Sequence, residues 1–170
     1  MESRARFLGH PVHQMLIVFP LGLLGGAIGF DVAHLVTNNP RWAEIAYWLI
    51  GAGVVMGLIA APFGVIDWLA IPRRTRAKRV GLLHGLINVG ALLLFAVSFS
   101  LRRENPGAPP AEALICSFIA VLGSMIAAWF GGELVDRLGI GVSPMAHPDA
   151  PSSLSQPSPG PAAPGTRGVR

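Results

Sequence analysis

The chain has 170 residues, of which 52% are hydrophobic and only 13% charged. A soluble domain carries about 25% charged residues, so this composition, with its apolar residues gathered in long runs, excludes an ordinary water-soluble fold and suggests one membrane domain. The formal charge of +4 comes from basic residues set beside the apolar runs, which argues against nucleic acid as a partner and for the lipid bilayer.

Four spans are expected in chain order. The first runs from Met15 to Val36, about 33 Å at roughly 1.5 Å per residue, enough to cross the hydrocarbon core. Arg4 and Arg6 before it resemble the start of a signal peptide, but the apolar run is too long and no small-residue cleavage site follows, so a permanent helix is expected. Pro20 should bend it, because proline removes a backbone donor and clashes one turn back. The second span, Ile45 to Ile71, is long enough to tilt. The third is Gly81 to Leu101 and the fourth Ala113 to Glu133. Short connections make neighbouring helices antiparallel. The expected architecture is therefore an all-α, integral membrane four-helix bundle over residues 1–142.

Residues 143–170 have another character. Seven of the 15 prolines fall there among Ser, Ala and Gly. Such a segment cannot bury enough apolar surface to offset its ordering entropy, so a disordered tail is expected. Within the spans, small residues recur four apart: Gly22 and Gly26, Gly25 and Gly29, Gly53 and Gly57, Gly81 and Gly85, and Gly123, Ala127 and Gly131. Such rows let helices approach closely or serve a homo-oligomer. The lone Cys116 can form no internal disulfide.

Arg and Lys are unevenly shared between the two sides. Arg4, Arg6, the connection Arg73 to Arg79 and Arg137 lie on one side, and Arg41, Arg102 and Arg103 on the other. The basic side faces the cytoplasm, so both termini are expected there, in the inner membrane of a bacterium. The Arg-, Ala- and Gly-rich composition suits a GC-rich bacterial genome.

On this topology each helix brings a polar group to one depth near the cytoplasmic face: His10 and His13 on the first, Asp67 on the second, His84 and Asn88 on the third, Glu133 on the fourth. Ionisable groups at membrane depth are costly and turn inward toward one another or a cavity. His10 before Pro11 is a natural helix-capping position, and the positive helix end there favours neutral imidazole, the metal-binding form. The set His10, His13, Asp67, His84 and Glu133 suits Zn, Fe or Mn. Alternatively, His13 and His84 alone are the axial pair of a haem b. The structural alternative is a satisfied network: Asp67 with Arg73 or Arg74, Glu133 with Arg137, and His84 with Asn88. A proton path is the third reading, but the middles of the spans offer few polar stations. Near the outer face, Asp31 and His34 with Glu44 and Tyr47 read as an interfacial cluster, and Trp42, Trp48, Trp68 and Trp129 as interface anchors.

The strings Gly9-His10-Pro11-Val12-His13 and Val18-Phe19-Pro20-Leu21-Gly22 resemble the opening of the DUF2231 family of bacterial membrane proteins. Phe30-Asp31, Asp67-Trp68, Gly81-Leu82-Leu83-His84 and Gly131-Gly132-Glu133-Leu134 continue the likeness, which covers Phe7 to Val142. Gln14 stands where the family often has a second proline. The resemblance implies a four-helix membrane domain. Some members are joined to Rieske-type iron–sulfur domains, which implies electron transfer and a redox partner. The other reading is a non-catalytic scaffold or assembly subunit. A reporter fused after Arg170 should be active only as a cytoplasmic type; periplasmic activity would reverse the orientation.

Overall fold

The computed structural model describes residues 1–155. A two-residue antiparallel ladder opens the chain, β1 (Arg6–Phe7) against β2 (His10–Pro11). Leu8 and Gly9 turn it with positive φ at both positions, the geometry of a tight hairpin. Then come α1 (Val12–Leu16), α2 (Val18–Thr37), α3 (Pro40–Ala70), α4 (Arg76–Leu101) and α5 (Ala111–Gly132), closed by a π-helical turn at Glu133–Arg137. Counting α1 and α2 as one span, four helices are long and apolar enough to cross a membrane.

The first span breaks at Ile17. Pro20 cannot donate to the Leu16 carbonyl one turn back, so the ladder is interrupted where the sequence places the bend. The span starts at Val12, three residues before the expected Met15. Likewise α3 starts at Pro40 and not Ile45, since Pro is favoured in the first helical turn and the Asn39 side chain accepts the Arg41 N–H at 3.1 Å. At 31 residues, α3 is about 46 Å long and must tilt or protrude from a hydrocarbon core of about 30 Å. Thr75 caps α4 by accepting the Lys78 N–H.

The helices form two antiparallel hairpins, α1/α2 with α3 and α4 with α5. Helices within a hairpin pack along most of their length. The hairpins meet through α3 with α4 and, less, α2 with α5, which puts α2 and α4 on one diagonal. The core is narrow and built of small residues around Ile50 and Phe95. Large Leu, Ile and Val side chains project outward, as lipid contact demands. Of the expected glycine rows, Gly53 and Gly57 are true close approaches: a Cβ there would overlap Leu24 and Leu92. Gly22, Gly25, Gly29 and Gly85 have no neighbour within 4 Å.

Toward the connections after α2 and α4 the core closes on one buried network. Arg102, at the end of α4, grips Asp31 of α2 with two parallel N–H···O bonds of 2.6 and 2.8 Å. Its Nε donates to Ser98 and its Nη2 to Ser117, and all four side chains have no exposed surface. The sequence reading placed Arg102 in a solvated connection and Asp31 with His34. Instead His34 Nδ1 meets the Asn39 carbonyl at 3.0 Å, and Tyr47 stacks on Phe99. In the sequence-predicted tail, Ser143 to Ser155 form turns without regular structure; the remainder of that segment lies outside the described residues.

Removing one partner from a buried ion pair strands the other charge, at a cost of about 3–5 kcal/mol. Asp31→Asn should accordingly lower unfolding free energy in detergent by that order, measured by denaturant titration of tryptophan fluorescence. Asp136→Asn, whose carboxylate is exposed beside Arg137, should leave it unchanged.

Candidate functional site

Five residues were expected to converge near the terminal face, and the structure gives three of them, His10, Asp67 and Glu133, separate partners of their own. His10 sits in β2, not in the helix cap, is exposed, and its Nε2 lies 3.2 Å from the Ser153 hydroxyl. Asp67, near the end of α3, is turned to the N-terminal segment. One carboxylate oxygen accepts the Ser3 hydroxyl at 2.6 Å, the other the N–H groups of Arg4 and Ala5 at 2.8 and 3.3 Å. Glu133 pairs with Arg76 at 2.5 Å across the helix ends. The expected partners were Arg73 or Arg74 for Asp67 and Arg137 for Glu133. A ready row of backbone donors outbids an exposed guanidinium, and α4 starts beside the end of α5. Among the described residues no three His, Cys, Asp or Glu side chains come together as a metal-binding group.

His13 and His84 remain, and they are built alike. His13 Nδ1 lies 3.0 Å from the Ala60 carbonyl of α3. His84 Nδ1 lies 2.8 Å from the Ala127 carbonyl of α5. A carbonyl only accepts, so Nδ1 carries the proton in both rings, and in the neutral ring Nε2 presents its lone pair. The Asn88 side-chain amide meets His84 Nε2 at a long 3.3 Å while also donating to the His84 carbonyl at 2.9 Å. The expected His84–Asn88 contact is thus present. Each ring lies against a glycine one turn beyond its carbonyl partner: a Cβ on Gly64 would stand 2.8 Å from His13 Cε1, and one on Gly131 3.1 Å from His84 Cε1. Both imidazoles are half-buried.

The likeness extends to the sequence. Ala60-Ala61-Pro62-Phe63-Gly64 on α3 corresponds to Ala127-Ala128-Trp129-Phe130-Gly131 on α5. His84 follows His13 by the same 71 residues that separate Arg102 from Asp31. This repeat is readable from sequence by self-comparison; the small-residue rows at spacing four include Gly131 but not Gly64, so they do not reveal it.

At the same face, Lys78 donates to the Trp68 carbonyl at the end of α3 and lies 4.0 Å from the centre of its indole ring. The Trp68 N–H returns a bond to the Lys78 carbonyl. Trp68 therefore locks α3 to α4 rather than anchoring freely at the interface.

Four membrane-length helices around a pair of carbonyl-held histidines define a small multi-pass membrane protein. The chain belongs to the DUF2231 family, described as a predicted membrane protein, whose model matches residues 9–144. No curated protein and no solved structure matches it.

Adding a methyl group at Gly64 or Gly131 should displace one imidazole from its carbonyl. Because a ring on a flexible side chain can yield, Gly64→Ala and Gly131→Ala should each cost about 1–2 kcal/mol, the scale of one membrane hydrogen bond. The two should resemble each other, whereas Gly85→Ala, which faces open space, should be neutral in the same detergent unfolding assay.

Proposed function

We propose that this protein is an electron-transfer subunit of the bacterial inner membrane, holding a haem b between His13 and His84 with its terminal face toward the cytoplasm. One observation carries the reading: two imidazoles from different hairpins, each with Nδ1–H fixed on a backbone carbonyl, so that the Nε2 lone pair is the ligating atom in both, met in His84 only by the long Asn88 contact. That is the arrangement in which histidine ligands are oriented and made more basic by an outer partner. The donor set also discriminates between groups. Asp67 and Glu133 are engaged elsewhere, and a bare Zn, Fe or Mn ion wants three or more protein donors. A haem b would be held by His13 and His84 alone, with apolar surroundings otherwise, a donor set that two imidazoles in an apolar bundle would fit.

Bound there, haem iron supplies one-electron chemistry at a potential set by its ligands and their surroundings. The chain's own residues do the positioning. Asp67 holds Ser3, Arg4 and Ala5, and the Ala5 carbonyl accepts the Val12 N–H at 2.9 Å. That fixes the start of α1 one residue before His13. Asn88 holds His84 from the same helix by a contact long enough to release. The basic terminal face, with Arg73, Arg74 and Arg79 exposed, suits an acidic redox partner.

The test is a visible spectrum and metal analysis on one sample purified in detergent without chelators. A Soret band with a reduced-minus-oxidised signal of a low-spin, bis-imidazole haem is expected. His13→Ala and His84→Ala should each remove it. Asp67→Asn should weaken binding by about 10–100-fold, as changes behind a ligand do. A colourless protein with stoichiometric metal would move the site to a bare ion. A colourless, metal-free, folded protein would refute the proposal and leave a scaffold, the reading favoured by the structural use of both carboxylates.

A further inference from the structure

The internal repeat reaches beyond the histidines. On α3 the buried residues include Ala46, Ile50, Gly53 and Ala60; on α5 they are Ala113, Ser117, Ala120 and Ala127. The spacing is the same, and the Ala60/Ala127 pair is already equated by its imidazoles. On the leading helices, the 71-residue shift carries buried Ala27 onto buried Ser98 and buried Asp31 onto buried Arg102. Buried positions therefore coincide at four places on the returning helices and at two on the leading helices, next to the Asp31–Arg102 contact.

Asp31 and Arg102 are equivalent positions, and they touch each other. Contact between equivalent positions is the signature of a two-fold relation, in which the same patch of each unit meets at the axis. Both hairpins run the same way through the bilayer, so that axis lies along the membrane normal, as in parallel-repeat transporters. We infer that the membrane core is an internal two-fold dimer of hairpins derived from one hairpin, and that the Asp31–Arg102 pair makes each hairpin accept the unlike hairpin as its partner.

The physical basis is the cost of the alternatives. Two first hairpins would bring Asp31 against Asp31, and two second hairpins Arg102 against Arg102, in an interior where like charges repel strongly and neither is compensated. Only the unlike pairing forms the bidentate bridge. The remaining asymmetry follows the charge. Ser98 and Ser117 both serve Arg102, while their equivalents beside Asp31 are Ala27 and Ile50, which need no polar group. The serines have accumulated on the hairpin that carries the cation.

If the positions are equivalent, the network can be moved to the other hairpin. The full chain is made with Asp31→Arg and Arg102→Asp, with Ala27→Ser and Ser98→Ala, and with Ile50→Ser and Ser117→Ile. Thermal unfolding in detergent is followed by tryptophan fluorescence. Asp31→Arg alone and Arg102→Asp alone should yield no folded protein. The charge exchange without the serines should fold at a lowered Tm. The full transplant should recover to within about 5 °C of the unaltered chain, equivalent to roughly one or two kcal/mol. An ordinary salt bridge at unrelated positions would not predict that recovery. A transplant no more stable than the charge exchange, including the case where neither folds, would overturn the inference, as would a native Tm for either single substitution. All the variants keep His13 and His84 and are compared at equal haem content, because a ligand held by the folded state raises Tm.

Discussion

In hydrocarbon a polar atom has no water to fall back on, and every buried donor or acceptor must find its partner within the chain. Among the described residues no buried side-chain nitrogen or oxygen lacks one. This requirement explains why the polar contacts of the molecule take so few forms. Imidazole N–H groups go to backbone carbonyls of the facing helix. Ser98 and Ser117 serve each other and Arg102. Asp67 gathers the N-terminal segment. Apart from the Arg102–Ser98 bond within α4, each contact crosses between helices or segments, so the same bonds that satisfy polar atoms also set the relative positions of the spans, where apolar packing alone discriminates poorly because lipid tails are as apolar as the side chains.

The two ends of the bundle use this rule differently. At one end the pairing is charged, bidentate and sealed. At the other, ion pairs such as Glu133–Arg76 are partly exposed, and each half-buried histidine keeps a ring nitrogen that the backbone does not consume. A rigid end and an adaptable end, joined by leading helices that carry both, is a sound division for a protein that must hold its spans in register while leaving room for a ligand. The weak Asn88 contact and the break at Ile17 both fall in the adaptable half.

The spans were legible because bilayer thickness imposes a length and composition that few other structures need. Pro20 marked its own bend. The His84–Asn88 contact was legible from spacing along one helix, but the partners of Asp67, Glu133 and His10 were not. Asp67 bonds to residues over 60 positions away, and nothing local in the sequence announces an N-terminal segment folding back onto a helix end. Arg102 was misread for a related reason. It follows the last apolar residue of α4, and hydropathy treats such a position as a connection. Its burial depends on Asp31, which lies on another helix. The pairing was recoverable only through the repeat, since position 31 in one copy predicts that position 102 in the other is also interior. Whether the histidines share a ligand is a matter of ring orientation across two hairpins, which no one-dimensional spacing encodes.

The distance between Asp31 and Arg102 along the chain also sets a timetable. A ribosome adds roughly 5–20 residues per second, so the 71 residues between them take roughly 4–14 s to synthesise. From the completion of α3 at Ala70 until Arg102 is added, the first hairpin is long enough to enter the bilayer with a carboxylate whose guanidinium does not yet exist. Asp31 lies near the end of its helix, six residues before Thr37, close enough to the surface to wait among head groups and water. It can be drawn inward only when α4 arrives. Burial of that charge therefore waits on the second hairpin, which brings Arg102 and Ser117 to it.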